Sequence, residues 1–179
     1  MRKRYLIFLF FTVFIVKNAI GQEPRRLYDE KSCTEIMIGI TNLESLKQGL
    51  FGEIYNTEYS NYNLNTSVIQ QLDSLISLSK TENNSFFSAK IIIGMWCGDS
   101  KEQLPRFIKV CEKFSFLTDD ITYICVDRLF KADNFDISNL KIEKVPTFII
   151  YKNNIEIGRI IETPIISFEK DLLKIINSK

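Results

Sequence analysis

Hydrophobic positions along this chain follow two periods, and the stretch from Ile91 to Ser100 joins them. Ile91-Ile92-Ile93 opens a continuous apolar run, the pattern of a strand buried on both faces. We place that strand at residues 89–95. The run breaks at Trp96-Cys97-Gly98, and apolar residues then recur at Leu104, Phe107, Ile108, Cys111 and Phe114. Spacings of three and four put these on one face of a helix over about 98–116. Pro105 falls inside it and should kink the axis. Ile121 to Asp127 reads as a second buried strand. Residues 129–140 are poorly patterned, with room for a turn or two of helix. Thr147–Tyr151 and Ile155–Ile161 form a hairpin around Asn153-Asn154, a pair that tolerates the positive φ of a two-residue turn. Ser167 is the N-cap of a last amphipathic helix through Phe168, Leu172, Leu173 and Ile176.

The preceding region reads differently. Residues 22–40 are polar, then apolar at Ile36-Met37-Ile38-Gly39-Ile40, and fit either a short strand or a packed segment. Thr41 and Glu44 have the spacing of a capping box. A helix then runs through Leu43, Leu46 and Leu50, weakened by Gly49 and Gly52. Phe51, Ile54, Tyr55, Tyr59 and Tyr62 continue an aromatic stripe, a packing surface in preference to a ligand site. A further helix covers 67–79, with Val68, Ile69, Leu72, Leu75, Ile76 and Leu78 on its broad face. There are no internal repeats. The division is residues 1–21, a mainly helical extension over 22–84, and an α/β domain over 85–179.

Composition and charge alter this picture at the N-terminus. Arg2, Lys3 and Arg4 precede a twelve-residue apolar run, Tyr5 to Val16, short for a membrane span. Ala19-Ile20-Gly21 supplies small residues for cleavage after Gly21. Residues 1–21 thus read as a secretory signal peptide, with an uncleaved membrane anchor as the alternative. Loss of its four cations (Arg2, Lys3, Arg4, Lys17) takes the formal net charge from +1 to −3. The expected location is periplasmic or secreted, where cysteines serve redox chemistry or disulfides. The near balance of charge suggests no nucleic-acid partner. The chain has no histidine, which removes Ser-His-Asp and Cys-His catalysis and histidine metal ligation. Neither a glycine-rich phosphate loop nor a metal-ligand cluster is present, so no cofactor or metal is expected.

Cys97 is the candidate nucleophile. At the end of a buried strand and the start of a helix it meets unpaired N–H groups and the positive end of the helix dipole. Both favour thiolate, the reactive form. The competing reading is a buried cysteine acting as a small hydrophobe; the flanking Trp96, Gly98 and Asp99 argue against it. Asp99 can cap the helix, and its charge opposes the dipole by favouring the thiol. Ser100 can donate a hydrogen bond to a thiolate but cannot expel a mixed disulfide. Cys111 lies fourteen residues along the same helix, about 21 Å away at 1.5 Å per residue. A disulfide needs Cα atoms within about 7 Å. Cys125 lies in a buried strand. Cys33, in the extension, is the remaining candidate partner.

Over about residues 86–179 the chain resembles the thioredoxin superfamily. Trp96-Cys97-Gly98 matches the start of its Trp-Cys-Gly-Pro-Cys motif. Val145-Pro146-Thr147 matches its cis-proline loop, and Tyr151-Lys152-Asn153-Asn154 the hairpin that follows. The nearest subgroup is that of small bacterial thioredoxin-like proteins with Trp-Cys-Gly-Asp-Ser or Trp-Cys-Gly-Asp-Cys sites. The resemblance implies an α/β thioredoxin-like fold, a central mixed sheet flanked by helices. It also implies that Cys97 attacks a disulfide while Val145, before a cis Pro146, pairs with an extended peptide and Trp96 rims the groove. The sequence departs from the pattern at three places. Ser100 stands at the resolving cysteine, Asp99 at the proline, and Ile91 at the buried carboxylate six residues before the nucleophile. The two-cysteine cycle is therefore absent from this site.

Two functions fit. One is extracytoplasmic thiol–disulfide exchange through a single cysteine, suited to isomerisation or deglutathionylation more than to net reduction. Cys97 and Ser100 are its catalytic candidates; Trp96, Gly98, Asp99, Val145 and Pro146 are its substrate-binding ones. Its partners are protein or peptide thiols and disulfides, with a low-molecular-weight thiol as co-substrate. The other is a non-catalytic binding module that uses the same groove and the N-terminal extension.

Overall fold

The computed structural model describes residues 24–83, 85–114, 120–133 and 135–178. The expected signal segment lies outside the described residues. In chain order the elements are β1 (Arg25–Asp29), β2 (Thr34–Thr41), α1 (Leu43–Leu46), α2 (Gly49–Asn61), α3 (Thr66–Asn83), β3 (Phe87–Ile93), α4 (Gly98–Cys111), β4 (Ile121–Cys125), β5 (Thr147–Lys152), β6 (Ile155–Ile161) and α5 (Phe168–Asn177). A single 3-10 turn, Ser138–Leu140, is the only helical piece assigned to the 129–140 connection among the described residues.

The six strands form one mixed sheet in the order β1-β2-β4-β3-β5-β6. Only β3 and β4 run parallel, with Ile91 opposite Tyr123. On its other side β3 pairs antiparallel with β5, Ile91 opposite Phe148. This central position explains the unbroken apolar run, since Ile91, Ile92 and Ile93 are all fully buried. Alternation sends Ile91 and Ile93 to one face, where all five helices contribute to the core. Ile92 points to the other, covered by Val126, Ala132, Ile137 and Val145 of the irregular connection.

The region before residue 85 is continuous with this sheet. Residues 22–40, open between strand and packed segment in the sequence, contain a hairpin whose second strand pairs antiparallel with β4. Thr41 is not a helix cap, because it closes β2 opposite Tyr123. Asn42 caps α1 instead, its side-chain oxygen accepting from Ser45 N at 2.8 Å. The expected helix through Leu50 is broken after Leu46: Gly49 takes φ +59° at the start of α2. Gly52 lies so close to Lys47 that a Cβ there would stand 1.9 Å from its carbonyl oxygen. Phe51 and Tyr55 enter the core and α2 packs on α4.

The helix expected to reach 116 ends at Cys111, passing through Pro105 and closing with tight turns to Phe114. Asn153 and Asn154 adopt φ +52° and +64° in the β5–β6 turn, as the pair predicts. Ser167 caps α5 by accepting from Lys170 N.

Candidate functional site

The strand-to-helix junction is a tight turn. Cys97 N donates to Gly94 O at 2.8 Å, and Lys101 N closes the first helical bond to Cys97 O at 3.3 Å. Cys97 is thus the N-cap residue of α4, extended at φ −93° and ψ 130°. Its side chain is half-buried, and Sγ donates to Val145 O at 3.3 Å. The Val145–Pro146 peptide is cis. The site therefore joins the 94–98 turn to the loop before β5. Val145, whose backbone is expected to pair with an extended peptide, thus has its carbonyl accepting from the thiol.

Ser100 is fully buried, and its hydroxyl accepts from Gly94 N at 3.2 Å. That bond ties the first turn of α4 to the end of β3, a structural use of the hydroxyl. Gly98 and Asp99 are exposed, and a Cβ on Gly98 would meet nothing within 4 Å. The Asp99 charge reaches Lys144, whose ammonium also pairs with Glu162 at 2.6 Å. Pro146 is buried, and its carbonyl accepts from Glu162 N at 2.7 Å.

Trp96 is held from several sides. Its Nε1 donates to Val126 O at 3.0 Å. Gly94 leaves the room its ring needs, because a Cβ there would lie 2.8 Å from Cε2. The Arg128 guanidinium stands over the ring with Cζ 4.7 Å from the centroid. Arg128 in turn donates to both oxygens of Asp29, at 2.9 and 2.8 Å. Ser32 donates to the same carboxylate from its N–H and its hydroxyl. Arg128 foremost, with Ser32, holds the Asp29 carboxyl well below the usual carboxylate range.

Asp29 carries no signal in the sequence that points here; its partner is 99 positions away. Asp127-Arg128 and Arg159 with Glu162, charged ends of strands, read in sequence as surface pairs first and as partner contacts second. The structure separates them: Asp127 accepts from Leu129 N and Lys131 N in its own turn, and Arg128 crosses to β1. Arg159 and Glu162 likewise pair with Glu156 and Lys144, not with each other.

All four cysteines are free thiols. Cys111 and Cys125 are fully buried, and desolvation drives the first well above the ordinary thiol range and the second up to about 12. Cys33 is exposed in the β1–β2 turn at φ +51°, its Sγ donating to Glu30 O at 3.3 Å. Among the described residues there is no cluster of three metal-ligating His, Cys, Asp or Glu side chains, and no helix is long and apolar enough to cross a membrane.

The order β4-β3-β5-β6, parallel only between β3 and β4 and with α4 leaving β3 at a cysteine, decides the fold class. The fold is thioredoxin-like. No protein-family model matches the chain, and no curated protein does. Solved structures resemble it distantly. One is a protein of unknown function from Pseudomonas aeruginosa, 16% identical over 74% of this chain and 84% of that one, with a TM-score of 0.47. A thioredoxin variant of Entamoeba histolytica is 24% identical over 60% and 93%, with a TM-score of 0.35. A thioredoxin of Arabidopsis thaliana in the oxidized state is 21% identical over 62% and 90%, with a TM-score of 0.39.

Proposed function

We propose that this protein carries out thiol–disulfide exchange outside the cytoplasm through the single cysteine Cys97. The observation that supports this most is its placement, half-buried at the N-terminus of α4, with its sulfur against the loop before β5. The Cys97 thiolate attacks one sulfur of a disulfide. A mixed disulfide forms, and the other sulfur leaves as a thiolate that takes a proton from water. A second thiol, from the substrate or from a small thiol, then attacks the mixed disulfide and restores Cys97. When the second thiol belongs to the substrate the cycle moves no net electrons and isomerises its disulfide; when it is a small thiol, two electrons pass from that thiol, which leaves as its own disulfide, and the cap is removed from the substrate. Ser100 supplies no thiol to resolve the intermediate and serves to hold the turn. Trp96, Gly98, Asp99, Val145 and Pro146 border the approach to the sulfur. The extracytoplasmic location rests on the basic start and apolar run of residues 1–21.

The test compares the mature protein with Cys97→Ser on a glutathionylated peptide supplied with reduced glutathione as the small thiol, and, separately, in pull-downs under non-reducing conditions. The exchange reading expects glutathione release and dithiothreitol-sensitive partner capture by the native protein, and neither by the variant. Partners that survive both the substitution and the reductant would instead establish the binding module.

A further inference from the structure

The ion pair between β1 and the segment after β4 has a geometry beyond that of a surface contact. Exposed pairs contribute little and leave both side chains mobile. Here the Asp29 side chain is only 11% exposed, and its two oxygens take four hydrogen bonds from Arg128 and Ser32. The two-pronged contact fixes the plane of the guanidinium. The guanidinium carbon stands 4.7 Å from the centroid of the Trp96 ring, which Val126 O holds at its edge and which has no slack at Gly94. A second pair, Arg25 with Asp133 at 3.0 Å, ties the other end of β1 to the same connection. The N-terminal hairpin is thereby built into the wall of the site.

We infer that Arg128, oriented by Asp29, is a positioning residue for the active-site turn: it clamps Trp96 and so holds the Gly94–Cys97 turn that presents the thiol. This deepens the exchange reading and depends on it only in taking Cys97 as the group presented. The clamp acts through three links. Asp29 sets the guanidinium plane, the guanidinium holds the ring, and the ring holds the backbone on which Cys97 N bonds Gly94 O. Lysine cannot replace arginine here, because an ammonium has neither the planar fork nor the stacking face.

Trp96 is the only tryptophan of the chain, so tryptophan fluorescence reports this site alone. The experiment measures acrylamide quenching of Trp96 and amide hydrogen exchange at Cys97 in Arg128→Ala, Arg128→Lys and Asp29→Asn. All three should quench about twofold more readily and exchange Cys97 N–H at least tenfold faster. Exchange in β6 and α5, at the far edge of the sheet, should stay within twofold of the native protein. Unchanged quenching and exchange at the turn would overturn the inference, and so would full retention by Arg128→Lys. A uniform rise across the molecule would reduce the pair to general stability, overturning it as well. If Arg128→Ala does not fold, Arg128→Lys and Asp29→Asn carry the same outcomes. None of these measurements needs exchange activity. A native protein inactive in exchange would sink the proposed function and leave this inference to be decided by the variants.

Discussion

At the scale of single residues, four chemically identical thiols differ through their surroundings alone. Cys111 and Cys125 are desolvated within the sheet–helix core, whereas Cys33 and Cys97 have access to solvent. Limiting iodoacetamide at pH 7.5 should therefore label Cys33 and Cys97 in the native protein and reach the other two only in denaturant. Peptide mass spectrometry reads this, and early labelling of Cys111 or Cys125 would refute the burial described. The same desolvation sets a pH dependence. Cys125 is raised to about 12, so its folded-state value exceeds that of the unfolded thiol. The favourable term is then complete below the unfolded pKa and is lost as pH rises from there through the folded one. Tyr59, raised to about 12 by its bond to Glu112, acts in the same direction. Urea midpoints should fall steadily from about pH 9 towards pH 12, and Cys125→Val should flatten that fall. Cys97 was legible in the sequence because a strand pattern runs into a helix pattern around it. Arg128 was not, because its meaning lies in Asp29 and Trp96, brought to it by a sheet order that local patterning does not encode.

At the scale of elements, the junction between β3 and α4 carries the tightest packing near the thiol. A Cβ on Gly94 would meet Trp96 at 2.8 and 2.9 Å and Val145 Cγ2 at 3.0 Å. Gly94→Ala must move the indole or the loop before β5. Overpacking of this kind costs about 1–3 kcal/mol. We expect a shifted Trp96 emission together with a lower urea midpoint; an unaltered spectrum would mean that the Trp96 ring is not packed against Gly94. One turn along α4, Ser100→Cys places a second thiol three residues from Cys97. Insulin reduction should appear in that variant, and its absence despite a formed disulfide would favour the binding module. Long, periodic elements such as β3, α4 and α5 were readable because their apolar residues repeat. The β1–β2 hairpin was less so. Its pairing with β4 shows only in three dimensions, and Thr41-Asn42 offers two adjacent capping residues, of which the sheet claims the first.

At the scale of the whole molecule, the boundary drawn at residue 85 divides a single core. Ile36, Met37, Ile38, Leu46, Phe51, Tyr55, Val68, Leu72 and Ile76 precede it, and all are buried in the cluster that holds Ile91, Phe107, Phe148 and Leu172. Glu169 of α5 is 1% exposed, and its carboxylate accepts from Tyr62 Oη and Asn65 N, both 2.9 Å away. β4 would become an edge strand without β2, exposing unpaired backbone groups along Tyr123 to Cys125. Burying one such side chain contributes about 1.5–3 kcal/mol, an upper bound because the unfolded chain already hides part of this surface. Nine of them together come to about 14–27 kcal/mol before the cost of ordering the chain, which is of the size of, or larger than, the net stability of a typical domain, about 5–15 kcal/mol. A fragment of residues 85–179 should therefore fail to fold cooperatively, although it contains Cys97, the loop before β5 and four strands of the sheet. Circular dichroism should show no sharp thermal transition, and Trp96 should be as open to acrylamide as free tryptophan. The missing Asp29 would leave Arg128 without its orienting partner even if the strands formed. A sharp transition with native quenching would show that residues 22–84 are an appendage after all. Adding the separately produced 22–84 segment to the fragment discriminates further, since a shared core predicts that the two pieces restore Trp96 protection only together.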